Sequence, residues 1–285
     1  MQSLLARWMG ESASAHGPAL DQMNALVHWL MAVLFVGWGL YFIYVLFRFR
    51  SGRNPEASYT GTKSHFSTWT EGGVVLIEAI LLIGFAIPAW ARWVAPHPEG
   101  TDAVVVRVVG QQFAWNMHYP GPDGVFGPTD VHLVDEAINP IGLDRSGPGA
   151  ADDIVSVNYL HLPVNRPATL LLSTKDVIHS FFLPPMRVKQ DAIPGQEIPV
   201  HFTPTKATPA DCQIGKTCWE IACAQLCGLG HYRMRGFFVV HEEGGYEAWL
   251  AENAPEQPEP EPAPADADAE DAAGEADATT AATTS

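Results

Sequence analysis

The chain of 285 residues has few basic side chains, because Lys and Arg number 16 against 32 Asp and Glu, which gives a formal net charge of −16. A nucleic-acid-binding protein needs a basic surface that neutralises phosphates. This shortage of positive charge therefore excludes nucleic acid as a partner. The length allows one or two domains and is sufficient for a buried core.

The C-terminal segment 255–285 lacks basic, aromatic and branched aliphatic side chains, and it contains nine acidic residues. Such a segment cannot bury enough apolar surface to offset the chain entropy lost on folding. The composition predicts an acidic, disordered tail over 255–285. Both a solvated tail and a partner-binding segment are consistent with it.

Two runs near the N-terminus have little or no charge. Residues 25–47 contain no Asp, Glu, Lys or Arg, and residues 72–94 contain only Glu78 and Arg92. A helix of 23 residues rises about 34 Å, which exceeds the ~30 Å hydrocarbon layer of a bilayer. The pattern predicts a two-helix transmembrane hairpin over 25–94. The first run is too long, and starts too late, for a cleaved signal peptide.

The segment that connects these two runs carries four basic residues: Arg48, Arg50, Arg53 and Lys63. Segment 1–24 has only Arg7. Positive side chains stay on the cytoplasmic face, so we expect the loop 48–71 inside and both 1–24 and 95–285 outside. In a bacterium this describes a multi-pass protein of the inner membrane. Glu78 would cost roughly 3 kcal/mol facing lipid, which suggests packing against another membrane subunit.

Residues 95–254 contain short β-rich runs separated by Gly- and Pro-rich stretches. The runs begin at Ala103, Ile154, Ala168, Glu197 and Gly236. Short strands at this spacing favour a β-sandwich or a small barrel. We therefore predict an all-β domain over 95–254 that a helix near 246–251 closes.

All four cysteines lie between residues 211 and 228. Cys223 and Cys227 belong to the string CAQLCGLGHYRM, which also contains His231 and Met234. Thiolate, imidazole and thioether together form a soft donor set that favours copper, whereas zinc rarely takes Met. A disulfide between Cys223 and Cys227 is the alternative in an oxidising compartment.

A copper site of this kind needs one more histidine, and His179 in the string DVIHSFFLPPM is our choice. Cupredoxin-type sites combine a His from an earlier strand end with ligands from a late loop. His161 and His201 lie within strand patterns that are typical of structural histidines. Two Cys, two His and one Met suffice for two copper ions that both sulfurs bridge, whereas one Cys would make a mononuclear site. Such a centre carries electrons and has no open position for a substrate.

The strings DVIHSFFLPPMRVKQDAIPG and CAQLCGLGHYRM resemble subunit II of the haem–copper cytochrome c oxidases. The resemblance extends from the first span to about Ala251. It implies a membrane-anchored protein in which residues 95–254 form a periplasmic, cupredoxin-like β-barrel with a dinuclear CuA centre. The implied copper ligands are the side chains of His179, Cys223, Cys227, His231 and Met234 and the backbone carbonyl of Gln225.

The resemblance also implies a function within an oxidoreductase and translocase complex. CuA takes electrons from a c-type cytochrome or another periplasmic donor and passes them to haem a in subunit I, where O2 is reduced to water. Subunit I and subunit III are therefore the expected membrane partners. This chain would contain no catalytic residue of its own.

Some positions depart from the family pattern or match it only in part. Gln225 stands where many relatives have a Glu that binds Mg, and an uncharged amide is a poorer ligand for a hard cation, which puts the Mg site in doubt. Phe113 replaces the Trp at which electrons enter in the family. Either Phe113 or Trp115 could take that role, or both could be core aromatics. Glu71 precedes Pro88 by 17 residues, as the Glu at the mouth of the K proton pathway does; an ordinary interfacial carboxylate is the alternative.

The remaining two cysteines, Cys212 and Cys218, are not among the implied copper ligands. They lie six residues apart in a domain that we place outside the membrane, where disulfides form. We therefore expect a local disulfide, with free thiols as the alternative.

Three other functions share part of this pattern. A stand-alone membrane-anchored copper carrier needs only one anchor, whereas this chain has two. A quinol-oxidase subunit II shares the fold without copper, which conflicts with Cys223 and Cys227. A nitrous-oxide-reductase-like domain shares the ligand string but not the two-helix anchor. The sequence therefore favours the oxidase subunit.

Overall fold

The computed structural model describes residues 10–56, 59–61, 64–93, 102–213 and 216–255. Residues 1–9 of the N-terminal segment lie outside this part of the chain. The same holds for Lys63 and for all but the first residue of the acidic tail.

Two long helical segments precede the β domain. Helix α1, Gly17–Arg48, has Pro18 in its first turn. Backbone N–H groups of the first turn have no partner within the helix, so the N–H that proline lacks costs no hydrogen bond. Helix α2, His65–Leu81, begins after Ser64, whose hydroxyl accepts the backbone N–H of Phe66 at 3.1 Å. A π-helical turn, Leu82–Ala86, continues into α3, Ile87–Trp93. Pro88 in α3 has no N–H to bond back to the carbonyl four residues earlier, which favours a local departure from α-helix.

Both helical segments are long and apolar enough to cross a membrane. The most apolar windows of Gly17–Arg48 and His65–Ala91 have mean hydropathies of 2.2 and 2.3. The helices begin eight and seven residues before the runs 25–47 and 72–94. The segment between α1 and α2 is correspondingly shorter than the expected loop 48–71.

Within the described residues, ten strands form two five-stranded sheets. They are β1 Val104–Gln111, β2 Ala114–Tyr119, β3 Ile154–Val157, β4 Tyr159–Pro163, β5 Ala168–Thr174, β6 His179–Leu183, β7 Val188–Ala192, β8 Ile198–Phe202, β9 Trp219–Cys223 and β10 Arg235–His241. One sheet has the order β3-β2-β1-β5-β8 and the other β4-β10-β9-β6-β7. Helix α4, Gly245–Asn253, follows β10.

The hydrophobic core lies between the two sheets. Strand β5 alternates buried and half-buried residues along its whole length, as does most of β1. This is the period-two pattern of strands with one face against a core. Fully buried side chains such as Leu170 and Leu172 of one sheet and Leu160 and Phe238 of the other fill the interior. The domain is therefore the two-sheet sandwich that the strand spacing predicts.

A long segment, residues 120–153, connects β2 to β3 and is fastened by a buried pair. Nε2 of His118 lies 2.6 Å from Oδ2 of Asp153, and the same oxygen accepts the backbone N–H of Gly127 at 2.8 Å. Arg145 donates to the backbone carbonyl of Asp153 at 2.7 Å. His118 thus serves to hold this segment against the sandwich.

The segment before α1 lies against the β domain, and we call residues 10–16 the N-terminal strap. Its Ser14 forms an isolated antiparallel bridge with Pro204, just after β8. Ala13 and Ser14 are buried, although both belong to a stretch of small and polar residues. The strap therefore connects the first membrane helix directly to the sandwich.

Candidate metal centre

Two strand ends and one loop bring the predicted ligands together. His179 is the first residue of β6 and Cys223 is the last residue of β9. These strands are antiparallel neighbours in which Phe181 pairs with Cys223, so both ligands lie at the same end of the sheet. The other ligands follow in the segment between β9 and β10. We call residues 223–234 the ligand loop.

The five predicted side chains converge on the two cysteine sulfurs. The Sγ atoms of Cys223 and Cys227 are 3.8 Å apart. Nδ1 of His179 lies 3.8 Å from Sγ of Cys223, and Nδ1 of His231 lies 3.6 Å from Sγ of Cys227. Sδ of Met234 lies 3.7 Å from Sγ of Cys227. The sulfurs are much farther apart than the ~2.05 Å of a disulfide, so the alternative of a Cys223–Cys227 disulfide is absent.

These spacings fit donors that share a metal ion. Two sulfurs that each lie ~2.3 Å from one metal ion at tetrahedral angles are about 3.8 Å apart. The ligand atoms of His179, Cys223 and Cys227 all lie within 4.8 Å of one another. The backbone carbonyl oxygen of Gln225 lies 3.2 Å from Sγ of Cys223. Since the set includes the thioether of Met234, its chemistry favours copper over zinc.

An acidic side chain orients the histidine ligand of β6. Oδ1 of Asp176 lies 2.9 Å from Nε2 of His179, on the side of the ring away from the sulfurs. A carboxylate at this position fixes the tautomer and the plane of a metal-binding imidazole. Burial opposes charge on His179, but the hydrogen bonds with Cys223 and Asp176 outweigh it and raise the pKa of His179.

The two thiols ionise very differently in the absence of a cation. Burial opposes ionisation of Cys223, but hydrogen bonds with His179 and with the backbone of Ser180 and Gln225 lower the pKa of Cys223 to about 6. Burial and the neighbouring Cys223 raise the pKa of Cys227 to about 11. These contacts therefore favour the thiolate at Cys223 and disfavour it at Cys227. A bound cation is what would stabilise both sulfurs as thiolates.

The two predicted aromatic residues lie in different environments. Trp115 is fully buried, and its ring is 5.9 Å from that of His179 and 5.2 Å from that of Phe181. Phe113 is half-buried and packs against the ligand loop, because a Cβ built on Gly230 would lie 2.3 Å from Cδ2 of Phe113. Only Phe113 of the two reaches the surface.

The structure adds two supporting residues that the sequence did not single out as part of the site. Nε2 of Gln112 donates to the backbone carbonyl of Cys227 at 2.5 Å and so fastens the ligand loop to the β1–β2 turn. Gly110 lies so close to His179 that a Cβ would be 3.0 Å from its ring. Both residues lie in the stretch GQQFAW, and their only sequence signal is that they stand beside Phe113, where the family resemblance implies electron entry.

Other residues of interest lie outside the metal centre. Glu71 is in α2, is exposed, and accepts a hydrogen bond from Ser67 Oγ at 2.9 Å. Glu78 is also exposed on α2. Cys212 and Cys218 are joined by the expected disulfide, just before β9.

Comparison with known proteins identifies the family. Residues 104–240 match the family described as cytochrome C oxidase subunit II, periplasmic domain. The chain is 31% identical over 249 residues to the alternative cytochrome c oxidase subunit 2 of Bradyrhizobium diazoefficiens, across 87% of this chain and 84% of that protein. The chain belongs to the cytochrome c oxidase subunit II family.

Other subunit II proteins show the same similarity at lower identity. The cytochrome c oxidase subunit 2 of Synechocystis sp. is 27% identical over 282 residues, across 89% of this chain and 80% of that protein. The crystal structure of the periplasmic domain of subunit II of cytochrome oxidase of Bradyrhizobium japonicum is 24% identical. The match covers 54% of this chain and 95% of that domain, with a TM-score of 0.37.

Family membership confirms the predicted identity and fold class. This subunit II has a cupredoxin-like β domain after two membrane-spanning-type helices, and it is a component of an oxidoreductase complex. Its Cys and His cluster fits a copper site in that domain.

Proposed function

We propose that this subunit II is the point at which electrons enter a respiratory haem–copper oxidase. The proposed ligands of its dinuclear CuA centre are His179, Cys223, the Gln225 carbonyl, Cys227, His231 and Met234. One observation carries the proposal: two sulfurs lie 3.8 Å apart, and each has its own imidazole nitrogen within 3.8 Å.

The arrangement of donors supports two metal positions rather than one. Cys223 has His179 and the Gln225 carbonyl beside it, whereas Cys227 has His231 and Met234. Each of the two proposed metal positions would therefore have one imidazole and one weaker donor of its own, and the two positions would share both sulfurs. When bound, a pair of copper ions supplies reversible one-electron transfer. The strands and the ligand loop hold the donors in place and leave no position for a substrate.

The proposed electron path runs from a c-type cytochrome, or another periplasmic donor, to haem a in subunit I, where O2 is reduced. Phe113 supports contact with the donor, because its half-buried ring packs on the ligand loop. Trp115 is fully buried and serves the core. Replacing Phe113 with Ala should slow reduction of the centre by the donor while leaving the copper spectrum intact. An unchanged rate would remove Phe113 from the path.

The proposed topology places both the N-terminal segment and the β domain in the periplasm. The N-terminal strap hydrogen-bonds to the β domain, so residues 10–16 and the sandwich lie on the same side of the membrane. The Arg-rich connection between α1 and α2 then lies in the cytoplasm. Glu71, near the start of α2, faces this side, where a proton pathway would open. The Gln225 side chain carries no charge, which disfavours a Mg site at this position.

The decisive experiment is electron paramagnetic resonance of the full-length protein purified in its membrane complex. A seven-line hyperfine pattern from one electron shared between two coppers is the expected result. A four-line pattern would indicate a single copper, and the absence of copper would refute the proposal. The alternative, a stand-alone membrane-anchored copper carrier, predicts purification without a haem-bearing, multi-span partner.

A further inference from the structure

The N-terminal strap ties the ends of both sheets together. The backbone N–H of Ala13 donates to the carbonyl of Pro185, and the N–H of Thr205 donates to the carbonyl of Ala13, both at 2.8 Å. The N–H of Ala15 donates to the carbonyl of Thr203 at 3.0 Å. Pro185 follows β6 of one sheet, whereas Thr203 and Thr205 follow β8 of the other. The strap is thus built into the sandwich by backbone hydrogen bonds.

Arg187 fastens both the strap and helix α1 to the same place. Its Nε and Nη2 atoms bind the carboxylate of Asp21 at 2.8 and 3.0 Å. Nη2 also donates to the carbonyl of Gly10 at 3.0 Å, and Nη1 donates to those of Glu11 and Pro184 at 3.4 and 2.7 Å. The Arg187 side chain is only 9% exposed. A planar guanidinium offers five N–H donors in a fixed arrangement to a carboxylate and several carbonyls, whereas an ammonium group offers only three.

The backbone of Arg187 is in a conformation that a side chain disfavours. Its φ of 56° and ψ of 32° lie in the left-handed region, at the end of the 3-10 turn Pro184–Met186. A non-glycine residue is disfavoured there and persists where its surroundings fix it. The five hydrogen bonds of the guanidinium are the surroundings that fix Arg187.

Arg187 and a metal ligand occupy opposite ends of one β-hairpin. Strands β6 and β7 are antiparallel, with Leu183 opposite Val188 near the turn and His179 opposite Ala192 at the open end. Four residue steps at about 3.4 Å each separate these ends by roughly 14 Å. The hairpin therefore links the anchor of α1, at Arg187, to the metal centre, at His179.

We propose that Arg187 is a positioning residue for onward electron transfer. By clamping Asp21 of α1 to the turn of the β6–β7 hairpin, it fixes the height of the metal centre above the membrane helices and hence its distance from the acceptor in the membrane. This inference rests on the proposed electron-transfer function. Electron tunnelling slows steeply with distance, so a loosened clamp would slow the onward step and leave the centre itself unaltered.

The test uses the complete oxidase complex with Arg187→Ala in this chain. A photoactivated ruthenium complex injects one electron into the copper centre, and the absorbance of the haem reports its arrival. We expect an unchanged copper spectrum, an unchanged injection rate and an onward rate reduced about tenfold, because small misplacements of reacting groups have large kinetic effects. Arg187→Lys and Asp21→Asn, which each keep part of the clamp, should give intermediate rates.

Lys206→Ala is the matched control. Lys206 pairs with Glu11 of the same strap at 2.5 Å, but both side chains are at least half exposed, so the pair contributes little. The rate of onward electron transfer in Lys206→Ala should equal that of the wild type. Wild-type onward transfer in Arg187→Ala, or a changed copper spectrum in that variant, would overturn the positioning role.

If Arg187→Ala does not assemble, Asp21→Asn decides, and a wild-type onward rate in Asp21→Asn would refute the clamp. If the wild-type haem is reduced without prior reduction of copper, the proposed function fails instead.

Discussion

Asp176 links the candidate ligand His179 to the turn between β1 and β2. Its Oδ1 lies 2.9 Å from Nε2 of His179, and its Oδ2 accepts the backbone N–H of Gln112 at 2.7 Å. Burial opposes its ionisation, but the hydrogen bonds from His179 and from the backbone of Gln112 and Val177 lower the pKa of Asp176. The carboxylate is therefore charged at neutral pH, and it fixes a ligand and the turn that carries Phe113 at the same time.

Replacing Asp176 with Asn should weaken the metal centre without removing it. The amide oxygen can still accept from His179, but the negative charge that favours a basic imidazole is lost. Loss of such a partner typically lowers metal affinity by about 10-fold to 100-fold. Competition with a copper chelator measures this change. Asp191→Asn is the control, since Asp191 is an exposed residue of the neighbouring strand β7, opposite Ser180. Equal losses in both variants would contradict the role of Asp176.

Cys227 and Met234 should respond differently to substitution, although both are buried and their sulfurs lie 3.7 Å apart. Cys227→Ser removes a sulfur that the two proposed metal positions would share, so we expect the seven-line signal to disappear. Met234→Leu removes only a weak donor of similar volume and should shift the reduction potential while the centre still assembles. Redox titration followed by electron paramagnetic resonance distinguishes the two results. Equal damage in both variants would contradict these assignments.

Gly230→Ala should destabilise the ligand loop for steric reasons. The φ of Gly230 is −91°, which any residue can adopt, but the added Cβ would lie 2.3 Å from the Phe113 ring. Overpacking of this kind typically costs about 1–3 kcal/mol. The midpoint of thermal loss of the copper absorbance should fall.

A second substitution tests whether that clash is the cause. Phe113→Ala removes the ring, so Gly230→Ala should cost much less in that background. Gly52→Ala is the control, because a Cβ there would meet no atom within 4 Å. An equal cost with and without the Phe113 ring would show that the clash is not responsible.

Local sequence patterns predict much of the fold. The run that starts at Ala168 coincides with β5, because one face of this strand is buried and its residues alternate. The run at Ile154 contains both β3 and β4, and the run at Ala103 contains β1 and only the start of β2, because a continuous apolar pattern does not separate strands. Strands β7 and β9 were not predicted, and of β6 only a strand end at His179 was expected. Each has only five residues, and β6 is buried at His179 and Ser180 in succession, so it shows no alternation.

The candidate metal ligands could be selected from the sequence because their chemistry is concentrated in short strings. Their surroundings were not, since these depend on contacts between residues far apart in the chain. Gln112 reaches Cys227 across 115 positions, and Arg187 reaches Asp21 across 166. The strap gave no signal either, because Ala13 binds the sandwich through its backbone rather than through a side chain.

A half-buried histidine pair predicts a dependence of stability on pH. Nδ1 of His161 lies 2.9 Å from Nε2 of His241, and Trp249 of α4 stacks on the His161 ring at 4.2 Å. Burial and the neighbouring His241 lower the pKa of His161 to about 4. The unfolded chain, with an ordinary histidine pKa near 6.5, therefore binds the proton at a higher pH than the folded chain does.

Because the unfolded state takes up this proton first, stability should decrease as the pH falls from about 6.5 towards 4, by at most about 3 kcal/mol from this residue. Denaturation of the purified full-length protein at several pH values measures the slope. In His161→Gln the slope over this range should be shallower, because the glutamine does not titrate. His132→Gln, an exposed position in the segment between β2 and β3, should keep the wild-type slope. If His161→Gln also kept the wild-type slope, another group would have to be the source of the acid sensitivity.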